Sequence, residues 1–119
     1  MPGKAALVIE PRFRLHRGRQ LLFGPGKAEL LERIAQTGSI REAAKAMGMS
    51  YMRAWTLMKA ADRDWKEPLV RKVRGGRTGG GATLTETGRA VLRLYRDLET
   101  GTAAATDAAR HRFAALQKR

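Results

Sequence analysis

Ser39-Ile-Arg-Glu-Ala-Ala-Lys-Ala-Met-Gly-Met-Ser-Tyr-Met-Arg-Ala-Trp-Thr-Leu-Met-Lys-Ala-Ala-Asp-Arg-Asp64 reads as two short helices joined by a tight turn. Ser39 followed three residues later by Glu42 is a capping box. The serine oxygen takes the N–H of Glu42, and the glutamate reaches back to the N–H of Ser39. Ala43, Ala44 and Met47 set an apolar stripe at helical spacing. Gly48 supplies the left-handed residue that ends a helix, and Ser50 caps the next one. That second helix is expected over about Ser50 to Asp64, with Ala54, Leu57, Met58 and Ala61 facing the core. Helix, glycine turn, helix is the pattern of a helix-turn-helix, whose second helix can lie in a DNA major groove.

The opposite face of the second helix carries Tyr51, Arg53 and Thr56, with Lys59 one turn on. Arginine can bond guanine in bidentate fashion, threonine offers a hydroxyl or a methyl, and lysine suits a phosphate. An ordinary solvated helix face is the plain alternative. Trp55 borders both faces and is expected to pack rather than to touch DNA.

Upstream, Phe13, Leu15, Leu21 and Phe23 alternate with Arg12, Arg14, His16 and Gln20 around Arg17-Gly18-Arg19. This predicts a short β-hairpin. Its arginines are either a solvated strand face or a nucleic-acid contact. Gly24-Pro25-Gly26 then opens a helix of about ten residues, with Leu30, Leu31, Ile34 and Ala35 inward and Thr37-Gly38 at its end.

Downstream, Pro68 closes the helix pair. Leu69–Val73 and Thr83-Leu84 are short strands around Arg74-Gly-Gly-Arg-Thr-Gly-Gly-Gly-Ala82. Strand, basic glycine-rich loop and strand make a wing over about 69–84, with Arg74, Arg77 and Thr78 as candidate backbone contacts. A flexible linker is the plain alternative. No Gly-Lys-Ser/Thr follows the glycines, and no helix-opening Gly-x-Gly-x-x-Gly occurs, so a nucleotide phosphate loop is excluded. Thr85-Glu86 caps a final helix expected over about 85–117. Val91, Leu94, Tyr95 and Leu98 form one stripe on it. Ala105, Ala108, Ala109, Phe113 and Leu116 resume that stripe after a kink at Gly101. The stripe needs cover from a second copy of the chain or from the first helix.

In bulk, the 119 residues carry 24 Lys and Arg against 11 Asp and Glu, a net charge of +13. Nucleic acid is the leading partner for such a surplus. With no cysteine and two separated histidines, His16 and His111, zinc and thiol chemistry are not expected. Asp62 and Asp64 are two residues apart and do not share a helix face. An enzyme is therefore not expected, and no cofactor. No apolar run is long enough to cross a membrane, and no secretory leader is apparent. A cytoplasmic, nucleoid-associated bacterial protein is the expectation.

Gly38-Ser39-Ile40, Ala43-Ala44-Lys45, Gly48-Met49-Ser50-Tyr51, Ala54-Trp55, the wing Gly75–Ala82, Leu84-Thr85 and Gly88 together resemble the N-terminal DNA-binding domain of the ModE-type, molybdate-responsive bacterial regulators. Those regulators are related to the LysR type, and the likeness covers about residues 12–100. The resemblance implies a homodimer with the first and last helices at the interface, the helix after Ser50 in the major groove and the wing on the backbone. The chain ends at Arg119, without the molybdate-binding modules of that family, so direct molybdate binding is not expected.

The expectation is thus one domain over 1–119, mainly α with small β. It is a winged helix-turn-helix (HTH about 39–64) with an N-terminal β-hairpin and a long C-terminal dimerisation helix. Ser50, Tyr51, Arg53, Thr56, Lys59, Arg74, Arg77 and Thr78 are the expected contacts to double-stranded DNA in a sequence-specific transcriptional regulator. A non-specific nucleoid or architectural protein is the alternative.

Overall fold

A computed structural model describes residues 5–73 and 81–118. The first two strands, β1 (Leu15–Arg17) and β2 (Gln20–Phe23), form the expected hairpin. Its two-residue turn places Gly18 at φ 59°, in the first central position where glycine escapes the Cβ penalty. Arg17 pairs with Gln20 and His16 with Leu21, but Leu15 pairs with Phe23. Leu22 is therefore a bulge, and the bulge overturns part of the simple alternation. Leu21 is exposed, Leu22 is half-buried and Phe23 is fully buried.

Three helices follow: α1 (Pro25–Thr37), α2 (Ile40–Ala46) and α3 (Tyr51–Asp62). Pro25 opens α1 at a position that needs no N–H. Gly38 at φ 68° ends it, and Gly48 at φ 65° follows α2. Ala28, Leu30, Leu31 and Ile34 of α1 meet Ala43 and Ala44 of α2 and Ala54, Met58 and Ala61 of α3 in one core. Ala35, expected inside, is exposed. The third helix ends at Asp62, two residues before Asp64. Both aspartates have structural tasks. Asp62 accepts the N–H of Leu69 at 2.8 Å, and Asp64 accepts Gln20 Nε2 at 2.6 Å.

The capping box at Ser39 is half formed. Ser39 Oγ accepts the N–H of Glu42 at 3.1 Å. The N–H of Ser39 donates to Thr37 Oγ1 at 3.3 Å instead of to the glutamate.

The wing strands β3 (Val70–Val73) and β4 (Gly81–Leu84) pair antiparallel, Val70 with Leu84 through Val73 with Gly81. An isolated bridge joins Ser39 to Gly81, and Ala82 N–H donates to Gly38 O at 2.9 Å. The turn between α1 and α2 thus fastens the wing to the helix-turn-helix.

Thr85 caps α4 (Glu86–Ala105), accepting the N–H of Gly88 at 3.0 Å. Gly101 does not break this helix. The break falls five residues later at Thr106, before α5 (Asp107–Leu116), so the single C-terminal helix expected over 85–117 is two. Thr106 N–H and Thr106 Oγ1 both donate to Thr102 O, at 2.9 and 2.7 Å. Such back-bonding by a threonine hydroxyl bends helices.

Val91 and Tyr95 of α4 enter the core. Tyr95 packs edge-on against Phe23 at 5.2 Å and donates its hydroxyl to Phe13 O at 2.7 Å. Burial raises the Tyr95 phenol above its ordinary pKa, so it stays a donor. Arg96 bonds Glu32 of α1 and Glu99. The hairpin's Phe23 thus meets the near half of the stripe, and Glu32 of α1 meets Arg96 beside it. Leu94 and Leu98 are exposed, and α5 buries nothing. The radius of gyration is 17.7 Å, against about 13.5 Å for a compact chain of this length. The arm formed by the end of α4 and by α5, which buries no residue, is part of that excess.

Candidate nucleic-acid interface

The capped start of α3 fixes what it presents. Ser50 Oγ accepts the N–H of Arg53 at 3.1 Å, which leaves the serine hydroxyl proton free to donate. Tyr51, Arg53, Thr56 and Lys59 lie exposed on α3, opposite the buried Ala54, Met58 and Ala61. Five of the eight expected contact residues, Ser50 included, thus lie along the exposed side of a single helix, from its N-cap at Ser50 to Lys59 in its last turn. Thr56 Oγ1 donates to Met52 O at 2.9 Å. Its proton is engaged, so the hydroxyl is left as an acceptor beside the methyl group. Arg74, Arg77 and Thr78 lie outside the described residues.

Three features of this face escape a reading of the sequence alone. The first is Met52, 65% exposed in the first turn of α3. It has no core role and adds an apolar group that can meet a thymine methyl in a major groove. The second is Arg41 of α2, whose guanidinium sits 5.2 Å above the Tyr51 ring. The third is Lys72 of β3, with Nζ 4.4 Å from the Trp55 ring centre. Lys59 Nζ is 5.0 Å from the same centre. The Tyr51 and Trp55 rings stack, with centres 6.4 Å apart and planes 24° from parallel.

Trp55 is therefore more than the packing residue expected. It is half-buried against the core and still carries two lysines. The spacing Tyr51, Trp55, Lys59 is i, i+4, i+8, which already predicts neighbours along one helix face. The Arg41 and Lys72 contacts depend on how α2 and β3 pack, and no local spacing reports them.

The hairpin arginines Arg12, Arg14, Arg17 and Arg19 and His16 are exposed. Gln20 joins this hairpin to Asp64, beyond the far end of α3 from Ser50. Among the described residues no group of three or more His, Asp or Glu side chains is arranged to hold a metal ion. No helix among them is long and apolar enough to cross a membrane.

A model of the bacterial regulatory helix-turn-helix proteins of the lysR family matches residues 26–89. The molybdenum transport protein ModE of Azotobacter vinelandii is 45% identical over 73 residues, 61% of this chain and 27% of that protein. The DNA-binding transcriptional dual regulator ModE of Escherichia coli is 38% identical over 77 residues, 65% of this chain and 29% of that protein. The chain thus spans less than a third of the length of these relatives. Among solved structures, the crystal structure of a CbnR DNA-binding domain in complex with DNA superposes with a TM-score of 0.56 at 25% identity. That likeness covers 77% of this chain and 97% of the other. The matched segment holds α1 to β4 and the first turn of α4, which includes the whole face built around α3.

Proposed function

This chain belongs to the bacterial regulatory helix-turn-helix family of the lysR type, and from that premise we propose that it is a sequence-specific transcriptional regulator acting on double-stranded DNA as a homodimer. One observation carries the proposal. The face of α3 that the core leaves outside is where Tyr51, Met52, Arg53, Thr56 and Lys59 converge. In the proposed complex α3 lies in the major groove, where Arg53 reads a base edge and Thr56 and Met52 take apolar contacts. Ser50 and Lys59 hold phosphates, and Arg74, Arg77 and Thr78 of the wing loop follow the backbone. Chain 1–119 acts as one cytoplasmic, nucleoid-associated domain.

The α4–α5 arm supports the dimer. Leu94, Leu98, Phe113 and Leu116 are exposed on it, Leu116 by 86%. A two-fold pair of arms would bury them and set two recognition helices about 34–36 Å apart, matching a near-palindromic site. We assign no molybdate-binding role to the described residues. The names of the relatives make molybdate the effector to test.

The test is recovery of genomic fragments by the purified protein, with and without molybdate, against excess random DNA. The expected result is a near-palindromic motif held at a specificity ratio of ~10³ or more. Equal retention of all fragments would replace this reading with a non-specific architectural protein held by its +13 charge. A molybdate effect on the purified chain would place an effector site within it.

A further inference from the structure

We propose that Trp55 is a positioning residue for DNA binding: its ring gathers Lys59 of α3 and Lys72 of β3 into one cationic pair, so that recognition helix and wing engage the same stretch of backbone together. The proposal rests on the DNA-binding reading and adds to it a coupling between its two elements. The geometry is specific. The two ammonium groups lie 5.0 and 4.4 Å from one ring centre, so they stand no more than about 9.4 Å apart although they come from different elements. That is within about one Debye length at 0.1 M salt, where like charges still repel. None of the ion pairs among the described residues includes either lysine. Two exposed cations are thus drawn together with a ring, and no carboxylate, to hold them.

The chemistry that completes this arrangement is a run of anions. Phosphates follow one another every ~3.4 Å of axis along each DNA strand, and each one neutralised by lysine releases counterions. A ring suits the holding task better than a carboxylate does. Cation–π attraction fixes the ammonium without neutralising it, so its charge stays available to a phosphate. A lysine held in this way also has less rotamer freedom left to lose on binding, which is preorganisation. The ladder continues through the Tyr51 ring to Arg41, so α2, α3 and β3 each place a cation on the two stacked rings.

Salt dependence of binding provides the readout, because a residue that only packs the core does not move it. Each of the two lysines should contribute about 0.9 to the slope of log K against log salt. Trp55→Leu should lower affinity for specific and random duplexes alike and flatten the slope by about one to two units. Trp55→Phe keeps a ring and should restore most of the slope. A Trp55→Leu protein that melts as a folded domain yet keeps the full slope would overturn the proposal and leave Trp55 a packing residue.

A second arm keeps Trp55 intact, in case the leucine variant does not fold. Lys59→Met, Lys72→Met and the double variant form a cycle in which a coupled pair loses less together than the sum of the single losses. Strict additivity in that cycle would overturn the coupling. If the unaltered protein binds no duplex at low salt, the DNA-binding reading itself fails, which is a different result from either of these.

Discussion

Gly88→Ala sets two physical effects against each other, and their magnitudes decide the outcome. Gly88 lies in the first turn of α4, where alanine would favour the helix by ~1 kcal/mol. Against this, a Cβ at residue 88 would stand 2.1 Å from Leu69 O and 3.0 Å from Leu69 C, both backbone atoms. A comfortable carbon–oxygen approach is about 3.3 Å or more, so the start of α4 would have to retreat from Leu69, just before β3, by roughly 1 Å. That junction is pinned by Thr85 N–H to Leu69 O at 2.9 Å, Thr85 Oγ1 to Pro68 O at 2.7 Å and Thr87 N–H to Glu67 Oε1 at 3.1 Å. Losing two or three such bonds costs about 1 kcal/mol each, and the remaining strain adds about 1–3 kcal/mol. The net expectation is a loss of about 2–5 kcal/mol. Urea unfolding followed by circular dichroism measures it. Gly101→Ala is the internal comparison, because a Cβ there meets nothing within 4 Å. It should gain ~0.5–1 kcal/mol from helix propensity alone. A Gly88→Ala protein as stable as the parent, or more so, would refute the close approach of α4 to the wing.

Other residues give shorter tests. Arg53→Ala should cost roughly 1–3 kcal/mol on the recovered site and relax selection at one base position; equal loss on random DNA would make Arg53 a phosphate contact. Phe113→Glu places a charge on the exposed face of α5 and should shift the protein toward monomer in sedimentation, with weaker binding to the full palindrome than to isolated half-sites predicts. An unchanged sedimentation profile would remove this face from the proposed dimer. Hydrogen bonds from Thr87 hold the Glu67 carboxyl below its ordinary value of 4.5. Its ionised form therefore favours the folded state above that value, and the benefit disappears as pH falls through the lowered folded pKa. The unfolding midpoint of the parent should accordingly drop more steeply than that of Glu67→Gln below about pH 4.5; parallel curves would deny Glu67 this role.

Local chemistry explains which parts of the fold were legible in the sequence. Ser39, Ser50 and Thr85 cap helices because a side-chain oxygen reaches an N–H three residues on, a relation visible in the sequence itself. Gly18, Gly38 and Gly48 mark turns because each adopts positive φ. The misreadings share a cause, which is competition that local spacing does not report. Glu42 does not reach back to Ser39 N–H because Thr37 already holds it. Gly101 carries the helix through because one glycine costs only ~1 kcal/mol against a helix that continues on alanines. The helix breaks instead at Thr106, whose hydroxyl bonds Thr102 O, although Thr56 makes the same bond inside the unbroken α3. The α3 face was legible from its periodicity, whereas Arg41 and Lys72 join it only through the packing of α2 and β3.

The net charge of +13 made nucleic acid a plausible partner but could not say where it binds. Among the described residues, the ion pairs and the ring contacts of the cations fall in different places. The ion pairs fall on the N-terminal segment (Glu10–Arg12), on α1 and α4 (Glu29–Arg33, Glu32–Arg96–Glu99) and on α5 (Asp107 with Arg110). None of them lies on α3 or β3. There the cations Arg41, Lys59 and Lys72 sit on Tyr51 and Trp55 rings instead. A carboxylate partner would cancel the charge and would have to be displaced before a phosphate could bind. An aromatic face orders the same cation and leaves its field intact. Carboxylates thus neutralise part of the charge on the body and arm, while Arg41, Lys59 and Lys72 rest on rings and keep theirs, which is the electrostatic arrangement the proposed DNA-binding face calls for.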